Sequence, residues 1–553
     1  MLTRIGFALA LAVALSASPE QAQNAARVDE VFKEFTAPGS PGCTAGVYQG
    51  GQVIFKAAYG MANLDHDVKL TPASVFHVAS VSKQFTATAI LLLAADGKLS
   101  LDDDVRKFVP ELPEFGPRIT IRHLANHTSG IRDQWDLLGF AGWRYSRDLI
   151  TDDDVVQMLS RQKDLNFTPG ERHLYSNSGY TLMAVIVSRA SGKSFREFTT
   201  ERIFKPLGMD RTHFRDNFNE IVKNQAYGYA RTADGYRLSV TNFDTAGATS
   251  LLTTVEDLAK WNANFDTGTV GSSSLIAGLL TRAVLNDGRS IDYAVGITHG
   301  MYRGVPTVSH GGADAGYRAM FMRFPEQKLG VAVLCNLASA NPGLLANRVA
   351  DVFLGDILKP APAPPEPDKS PEVAVTPEQL AAVAGLYFNA APNAPLSDPR
   401  RFVVREGRLH SVTPPLPLKS LGGGRFVAMT GPPVNVAFEM VNGSATRVRI
   451  SPPGGAAVED VPRAEPYTPT PGQLKEFAGT YRSEEIEPPY RIVATDTGLR
   501  LERLKATPAP LVPLVTDVFT SPFGFIRFVR DGNRVTGFVL DGGRVRRMKF
   551  SKS

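Results

Sequence analysis

Two cysteines in a chain of 553 residues are too few for a disulfide scaffold or a four-thiolate zinc site. Charge of one sign is scarce as well: 60 basic against 55 acidic residues leave a formal +5, a small excess for this length. No long basic run or basic-aromatic stripe accompanies it, so the footprint of a nucleic-acid binder is missing. Beyond the N-terminus no run reaches the roughly 20 apolar residues of a membrane helix, which argues against a stable helical anchor. Apolar material is otherwise ample. With 43% hydrophobic, 21% charged and 9% aromatic residues the composition is that of a globular protein, excluding wholesale disorder and a coiled coil.

A chain of this length should hold about three or four domains. Residues 1–23 carry a charge at Arg4, an apolar run from Ile5 to Leu15 and small residues at Ser16–Ser18, and read as a secretory signal peptide. The expected location is therefore periplasmic or secreted, and no cysteine near the cleavage region supports a lipid anchor. Residues 359–376 are Pro-, Ala- and Glu-rich and read as a linker. After it, Thr376-Pro-Glu-Gln-Leu-Ala-Ala-Val-Ala-Gly-Leu-Tyr387 recurs as Thr470-Pro-Gly-Gln-Leu-Lys-Glu-Phe-Ala-Gly-Thr-Tyr481. Each copy is followed by short alternating segments between Gly, Asp-Gly and Asn-Gly turns, predicting two small barrel-like all-β modules, 377–465 and 470–553. Residues 24–358 differ: strand patterns at both ends enclose helical stretches, an α/β (α+β) plan whose sheet joins the two ends of the segment. Cys43 and Cys335 fall at the ends of two of those strands. In an oxidising compartment they are either bridged or free and buried.

The sharpest chemical signal is Ser80-Val81-Ser82-Lys83, at the start of a helix expected over Ser80–Ala95. That helix is apolar nearly all round and should be buried. Residues three apart share a face, so Lys83 lies over Ser80, where lost hydration lowers a lysine's pKa and lets it act as a base. Tyr175-Ser176-Asn177 precedes an apolar helix, and His310-Gly311-Gly312 ends a strand where glycines allow close approach to the backbone.

These three ordered motifs resemble those of the penicillin-recognising serine hydrolases: class C β-lactamases, D-Ala-D-Ala carboxypeptidases, D-aminopeptidases and β-lactamase-like esterases. Supporting segments are Phe76-His-Val-Ala-Ser-Val-Ser-Lys-Gln-Phe, Thr120-Ile-Arg-His-Leu-Ala-Asn-His-Thr-Ser-Gly130, Ile203-Phe-Lys-Pro-Leu-Gly-Met and Thr254-Val-Glu-Asp-Leu. The resemblance implies a β-lactamase/transpeptidase-like domain with an antiparallel sheet and helices. It makes Ser80 the acylated nucleophile, Lys83 the base and Tyr175 the proton shuttle, with Asn177 holding the carbonyl side of the substrate. The backbone N–H groups of Ser80 and Ala313 would form the oxyanion hole. None of these roles needs a metal or cofactor. The resemblance also makes the first strand antiparallel to the last, which favours a Cys43–Cys335 disulfide.

One departure from the family pattern is informative. Where β-lactamases and carboxypeptidases usually carry Lys-Thr-Gly, this chain has His310, Gly311 and Gly312. A histidine with a pKa of about 6.5 is mostly neutral at pH 7 and glycine has no hydroxyl, so the anchor for a substrate carboxylate is weakened. The expected substrates are small molecules or peptides: D-amino-acid-containing amides or peptides, or small esters. A penicillin-binding carboxypeptidase or β-lactamase is the nearest alternative, and a non-turnover sensor or cell-wall-binding protein is the alternative from another class. Arg318 is a candidate to restore a cation, with a structural salt bridge as the rival reading.

Trp135 and Trp143 share a loop-like stretch with Phe140 and Tyr145, and are candidates for the pocket wall, with core packing as the alternative. His123 and His127 have the helical spacing of zinc ligands, but no Glu follows His123 and the segment belongs to the hydrolase pattern, so no metal site is expected. Asp102–Asp104 and Asp152–Asp154 read as helix-start acids rather than a calcium site.

Overall fold

Strands covered on both faces read as unbroken apolar runs, and two such runs meet inside a six-stranded antiparallel sheet in the computed structural model of the chain. The order is Thr298–Tyr302, Val305–Asp314, Tyr317–Phe324, Leu329–Cys335, Cys43–Gln49, Gln52–Tyr59. Every residue of Leu329–Cys335 is buried, as is Cys43–Gln49 apart from Gln49. The structure describes residues 19–361, 368–391, 398–430, 434–452 and 459–553. The apolar run read as a signal peptide and the centre of the proline-rich linker lie outside them.

The described chain forms two units. The first draws on the chain up to Leu101, on Met183–Ala283 and on Ser290–Lys359. Its sheet brings Cys43 opposite Cys335, and the two are joined by a disulfide with Cα atoms 4.0 Å apart. On one face, Val28 of the helix Pro19–Val31 and Leu345 and Val349 of the helix Pro342–Leu354 pack in a core with Ala45, Val47, Val331 and Val333. The helix Val255–Thr267 packs on the same two central strands, and the Tyr48 hydroxyl donates to the carbonyl of Val255. There Gly330 leaves room for Asn262, whose Oδ1 would lie 2.2 Å from a Cβ at that position. The sheet thus holds Val305–Asp314, which carries the His310 motif, between the strands Thr298–Tyr302 and Tyr317–Phe324.

The second unit comprises Asp102–Leu182, Val284–Arg289 and Pro360–Ser553. Asp152–Asp154 form the first turn of the helix Asp152–Ser160, where Thr151 and Asp154 make reciprocal capping hydrogen bonds. Asp104 caps the short turn Val105–Lys107, while Asp102 and Asp103 pair with Arg122 and Lys107. Both acidic runs are therefore the helix-start groups and ion-pair partners of their own segment, as acids near helix N-termini should be.

The sequence repeat maps onto two closed eight-stranded barrels, from Gly385–Tyr387 to Glu459–Ala464 and from Gly479–Arg482 to Val545–Lys552. Each barrel is preceded by a short helix, Pro377–Val383 or Pro471–Phe477, with Pro in the first turn. Thr376 with Gln379 and Thr470 with Gln473 make the same capping box. The repeated tyrosines also match: Tyr387 donates to Val383 O at 2.8 Å and Tyr481 to Phe477 O at 2.7 Å. Closure removes the exposed sheet edges that short strands would otherwise present.

Candidate active site

In the first unit the Ser80–Lys83 segment differs in detail from the expected helix. Ala79–Ser82 is a 3-10 turn and the α-helix begins at Lys83, running to Ala95. The turn is entered through Ala79 at φ +48°, a left-handed conformation unfavourable for alanine. Lys83 is fully buried, and its Nζ lies 3.0 Å from Ser80 Oγ and 2.7 Å from the carbonyl oxygen of Ala248. Ser80 itself is only partly buried. An amine held dry against a hydroxyl can take its proton once neutral, which is the geometry nucleophile activation requires.

The strand Val305–Asp314 runs beside this turn. Gly312 packs on it so closely that a Cβ would sit 2.2 Å from Val78 O and 3.2 Å from Ser80 N. The sequence suggested that these glycines make room for substrate. At Gly312 the room is taken by the turn Ala79–Ser82 and its approach, while at Gly311 a Cβ would meet only ordinary contacts. His310 is buried, with Nδ1 2.7 Å from Gly311 O and Nε2 3.1 Å from the Tyr293 hydroxyl. The carbonyl must receive a proton from Nδ1, so Nε2 accepts from Tyr293. Burial, reinforced by the nearby Lys83 charge, lowers the His310 pKa to about 4. The imidazole is neutral at pH 7 and offers no cation. Arg318 pairs with Ala313 in the sheet register, and its Nη1 turns back to the carbonyls of Ala315 and Tyr317, at 3.1 and 2.7 Å. It forms neither the salt bridge nor a contact with His310 among these bonds.

In the second unit Tyr175 and Asn177 stand at the start of the helix Asn177–Ser191. His127, at φ +57°, is folded against them: its ring lies 4.1 Å from the Tyr175 ring and its Nδ1 accepts from Ser176 N at 3.1 Å. His123 is occupied elsewhere, with Nδ1 accepting from Thr120 N. The two histidines are thus a cap and a loop support. Among the described residues no group of three or more His, Cys, Asp or Glu is placed to hold a metal ion.

Asp133 was not singled out from the sequence, yet it organises this segment. It caps the helix Gln134–Phe140, and its Oδ2 accepts from Asn177 N at 2.7 Å and Asn177 Nδ2 at 3.0 Å. Burial raises the Asp133 pKa, and Arg544, whose Nη2 lies 3.1 Å from Oδ1, opposes the rise. Arg544 comes from the last hairpin of the second barrel, and its guanidinium also lies 5.9 Å from the Tyr175 ring centre. The hairpin is fixed by Asp136, which accepts from Arg544 N at 2.8 Å, and by Asn166, which donates to Arg544 O at 2.8 Å. Another turn, near Glu484–Pro489, also docks here: Glu485 forms a buried ion pair with Arg132. Trp135 packs edge-on to Tyr145 with ring centres 5.0 Å apart, and Trp143 N bonds to Leu138 O at the end of the same helix. A cavity of about 1120 Å³ in this unit, bounded by Phe140, Arg400, Glu459 and Phe523, has neither tryptophan nor Tyr175 in its lining.

A family model described as Beta-lactamase matches residues 28–354. The chain belongs to the beta-lactamase family. It is a serine hydrolase of that family, with two closed barrels after the β-lactamase/transpeptidase-like domain. It is 28% identical over 466 residues to a D-aminopeptidase of Gluconobacter oxydans (strain 621H), covering 81% of this chain and 80% of that one. A penicillin-binding protein of Bacillus subtilis (strain 168) is 31% identical over 303 residues, 52% of this chain and 66% of that protein. Among solved structures, the octameric penicillin-binding protein homologue from Pyrococcus abyssi superposes with a TM-score of 0.55 at 25% identity, covering 78% of this chain and 97% of that one. In this beta-lactamase family member no helix among the described residues is long and apolar enough to cross a membrane.

Proposed function

We propose that this serine hydrolase forms an acyl-enzyme on Ser80 and acts on D-amino-acid amides and peptides, with small esters as further substrates. The observation that carries the reading is the 3.0 Å contact between fully buried Lys83 and Ser80. With Lys83 neutral, the Ser80 hydroxyl passes its proton to Nζ as Oγ attacks the substrate carbonyl carbon. The N–H groups of Ser80 and Ala313 receive the negative charge on the carbonyl oxygen. Tyr175, its part assigned from the family resemblance, hands a proton to the departing amine as the C–N bond breaks. Water then displaces Ser80 from the ester by the same route in reverse.

Two observations favour D-amino-acid amides over β-lactams and C-terminal D-Ala. Neutral His310 leaves the usual position of the carboxylate anchor without charge. The likeness to a D-aminopeptidase extends over 81% of the chain, well beyond the 28–354 segment. Export to an oxidising compartment is part of the proposal, since disulfides such as Cys43–Cys335 form and persist in such compartments and are rare in the cytosol. The test is hydrolysis of paired D- and L-amino-acid p-nitroanilides beside nitrocefin and p-nitrophenyl acetate. Turnover of D-anilides with little nitrocefin cleavage is expected; nitrocefin as the best substrate would overturn the preference.

A further inference from the structure

Three residues before Ser80, His77 is buried in a polar cluster that the proposed reaction does not use. Its Nε2 lies 2.9 Å from Asp314 Oδ2, with the two side chains 0% and 4% exposed. Thr249 Oγ1 lies 2.6 Å from the same carboxylate oxygen and 3.1 Å from His77 Nε2. The rings of Tyr317 and Phe243 pack on His77 at 5.3 and 6.4 Å. Burying a carboxylate and an imidazole costs free energy that only good mutual geometry and further hydrogen bonds offset. Moreover His77 Nδ1 and Asp314 Oδ1 are buried with no hydrogen-bond partner among the described residues.

The position of the pair in the chain gives it a purpose. His77 ends the short strand Phe76–His77 that leads into the left-handed turn at Ala79, and Asp314 ends the strand Val305–Asp314 immediately after Ala313. Between these two flanks, Gly312 rests on the backbone of Val78 and Ser80. The backbone of the nucleophile turn is also tied to Leu251, whose carbonyl accepts from Val78 N at 3.0 Å. The two proposed oxyanion donors, Ser80 N–H and Ala313 N–H, thus lie on segments whose outer ends are joined side chain to side chain.

We infer that His77 and Asp314, braced by Thr249, are a positioning pair that sets the spacing of the two oxyanion-hole amides and holds Ala79 in its left-handed turn. The inference rests on the Ser80 acyl-enzyme reading. It touches neither nucleophile nor base: the pair acts through the backbone. Because an oxyanion exists in the transition state and not in the bound substrate, a shift of these amides lowers kcat and leaves KM nearly unchanged.

The experiment compares wild type with His77→Gln, Asp314→Asn and Thr249→Val on one hydrolysed ester, with a thermal melt for each. Each is also titrated with phenylboronic acid, which adds to a serine Oγ as a tetrahedral anion and so samples the same hole. The expected result is a fall in kcat of about tenfold or more for His77→Gln and Asp314→Asn, in line with the sensitivity of oxyanion holes to lost donors. Boronate affinity should fall by a similar factor with KM within about twofold, and the double variant should be no worse than the weaker single one. Folded variants with wild-type kcat and boronate affinity would overturn the inference. Should both the His77 and the Asp314 variant fail to fold, Thr249→Val decides it by the same readouts, since it removes only a hydroxyl. Ser80→Ala separates the two levels: activity surviving in that variant overturns the acyl-enzyme reading and the pairing with it. An inactive Ser80→Ala beside unaffected pair variants overturns the pairing alone.

Discussion

Lys83 Nζ bridges two acceptors, Ser80 Oγ at 3.0 Å and Ala248 O at 2.7 Å, from a fully buried position. The Ala248 carbonyl holds the amine in place beside the hydroxyl. Lys83→Met keeps the length of the side chain and removes the nitrogen. It is expected to lower kcat by about 10²–10⁴, the usual range for loss of a positioned base. Stopped-flow release of p-nitrophenol, with circular dichroism to confirm the fold, measures it.

Asp133 and Arg544 support the Tyr175–Asn177 segment together. Arg544→Met leaves the Asp133 carboxylate buried without its cation. As Arg544 is 30% exposed, the expected loss is about 1–3 kcal/mol rather than the full value for a buried pair. The rate should also fall, because Asn177 is held through Asp133. Adding Asp133→Asn should restore part of the stability and little of the rate. Urea unfolding and kcat of the two variants check both statements.

His310 makes stability depend on pH. Its pKa is about 4 in the folded chain, where burial and Lys83 disfavour its cation, against about 6.5 when unfolded. Between those values the unfolded chain binds a proton that the folded one refuses. The stability it contributes is therefore complete above about pH 6.5 and lost as the pH falls towards 4, roughly 3 kcal/mol in all. Urea midpoints from pH 7.5 to 4 should fall less steeply for His310→Gln than for wild type.

The Cys43–Cys335 bridge closes a loop with a sequence separation of 292 residues between paired strands. Cys43→Ala with Cys335→Ala is expected to cost about 2–5 kcal/mol, as is usual for loss of a native disulfide. Non-reducing intact mass with thiol alkylation reports the bond, and thermal melts report its effect.

Much of this was readable in the sequence because it is local. Ser80 and Lys83 are three residues apart, and the repeated Thr-Pro-x-Gln segments announce their own helix caps. What was not readable depends on distant partners. Arg544 meets Asp133 across 411 residues and Glu485 meets Arg132 across 353, and nothing in the composition of either hairpin announces such a partner. Asp133 carried a local signal, a capping residue just before Gln134–Phe140. The helix starts at Lys83 rather than Ser80 because the first turn closes with i→i+3 bonds, from Val81 N to Val78 O and from Lys83 N to Ser80 O, which makes Ala79–Ser82 a 3-10 turn.

In the proposed reaction Ser80 carries the acyl group. Acid-quenching the enzyme during steady-state turnover of a D-amino-acid ester, followed by intact mass and peptide mapping, tests it most directly. The mass of one acyl group is expected on the peptide containing Ser80, absent in Ser80→Ala, and accumulating when water attack is slowed. Undiminished turnover by Ser80→Ala, or an adduct mapped to another residue, would contradict it.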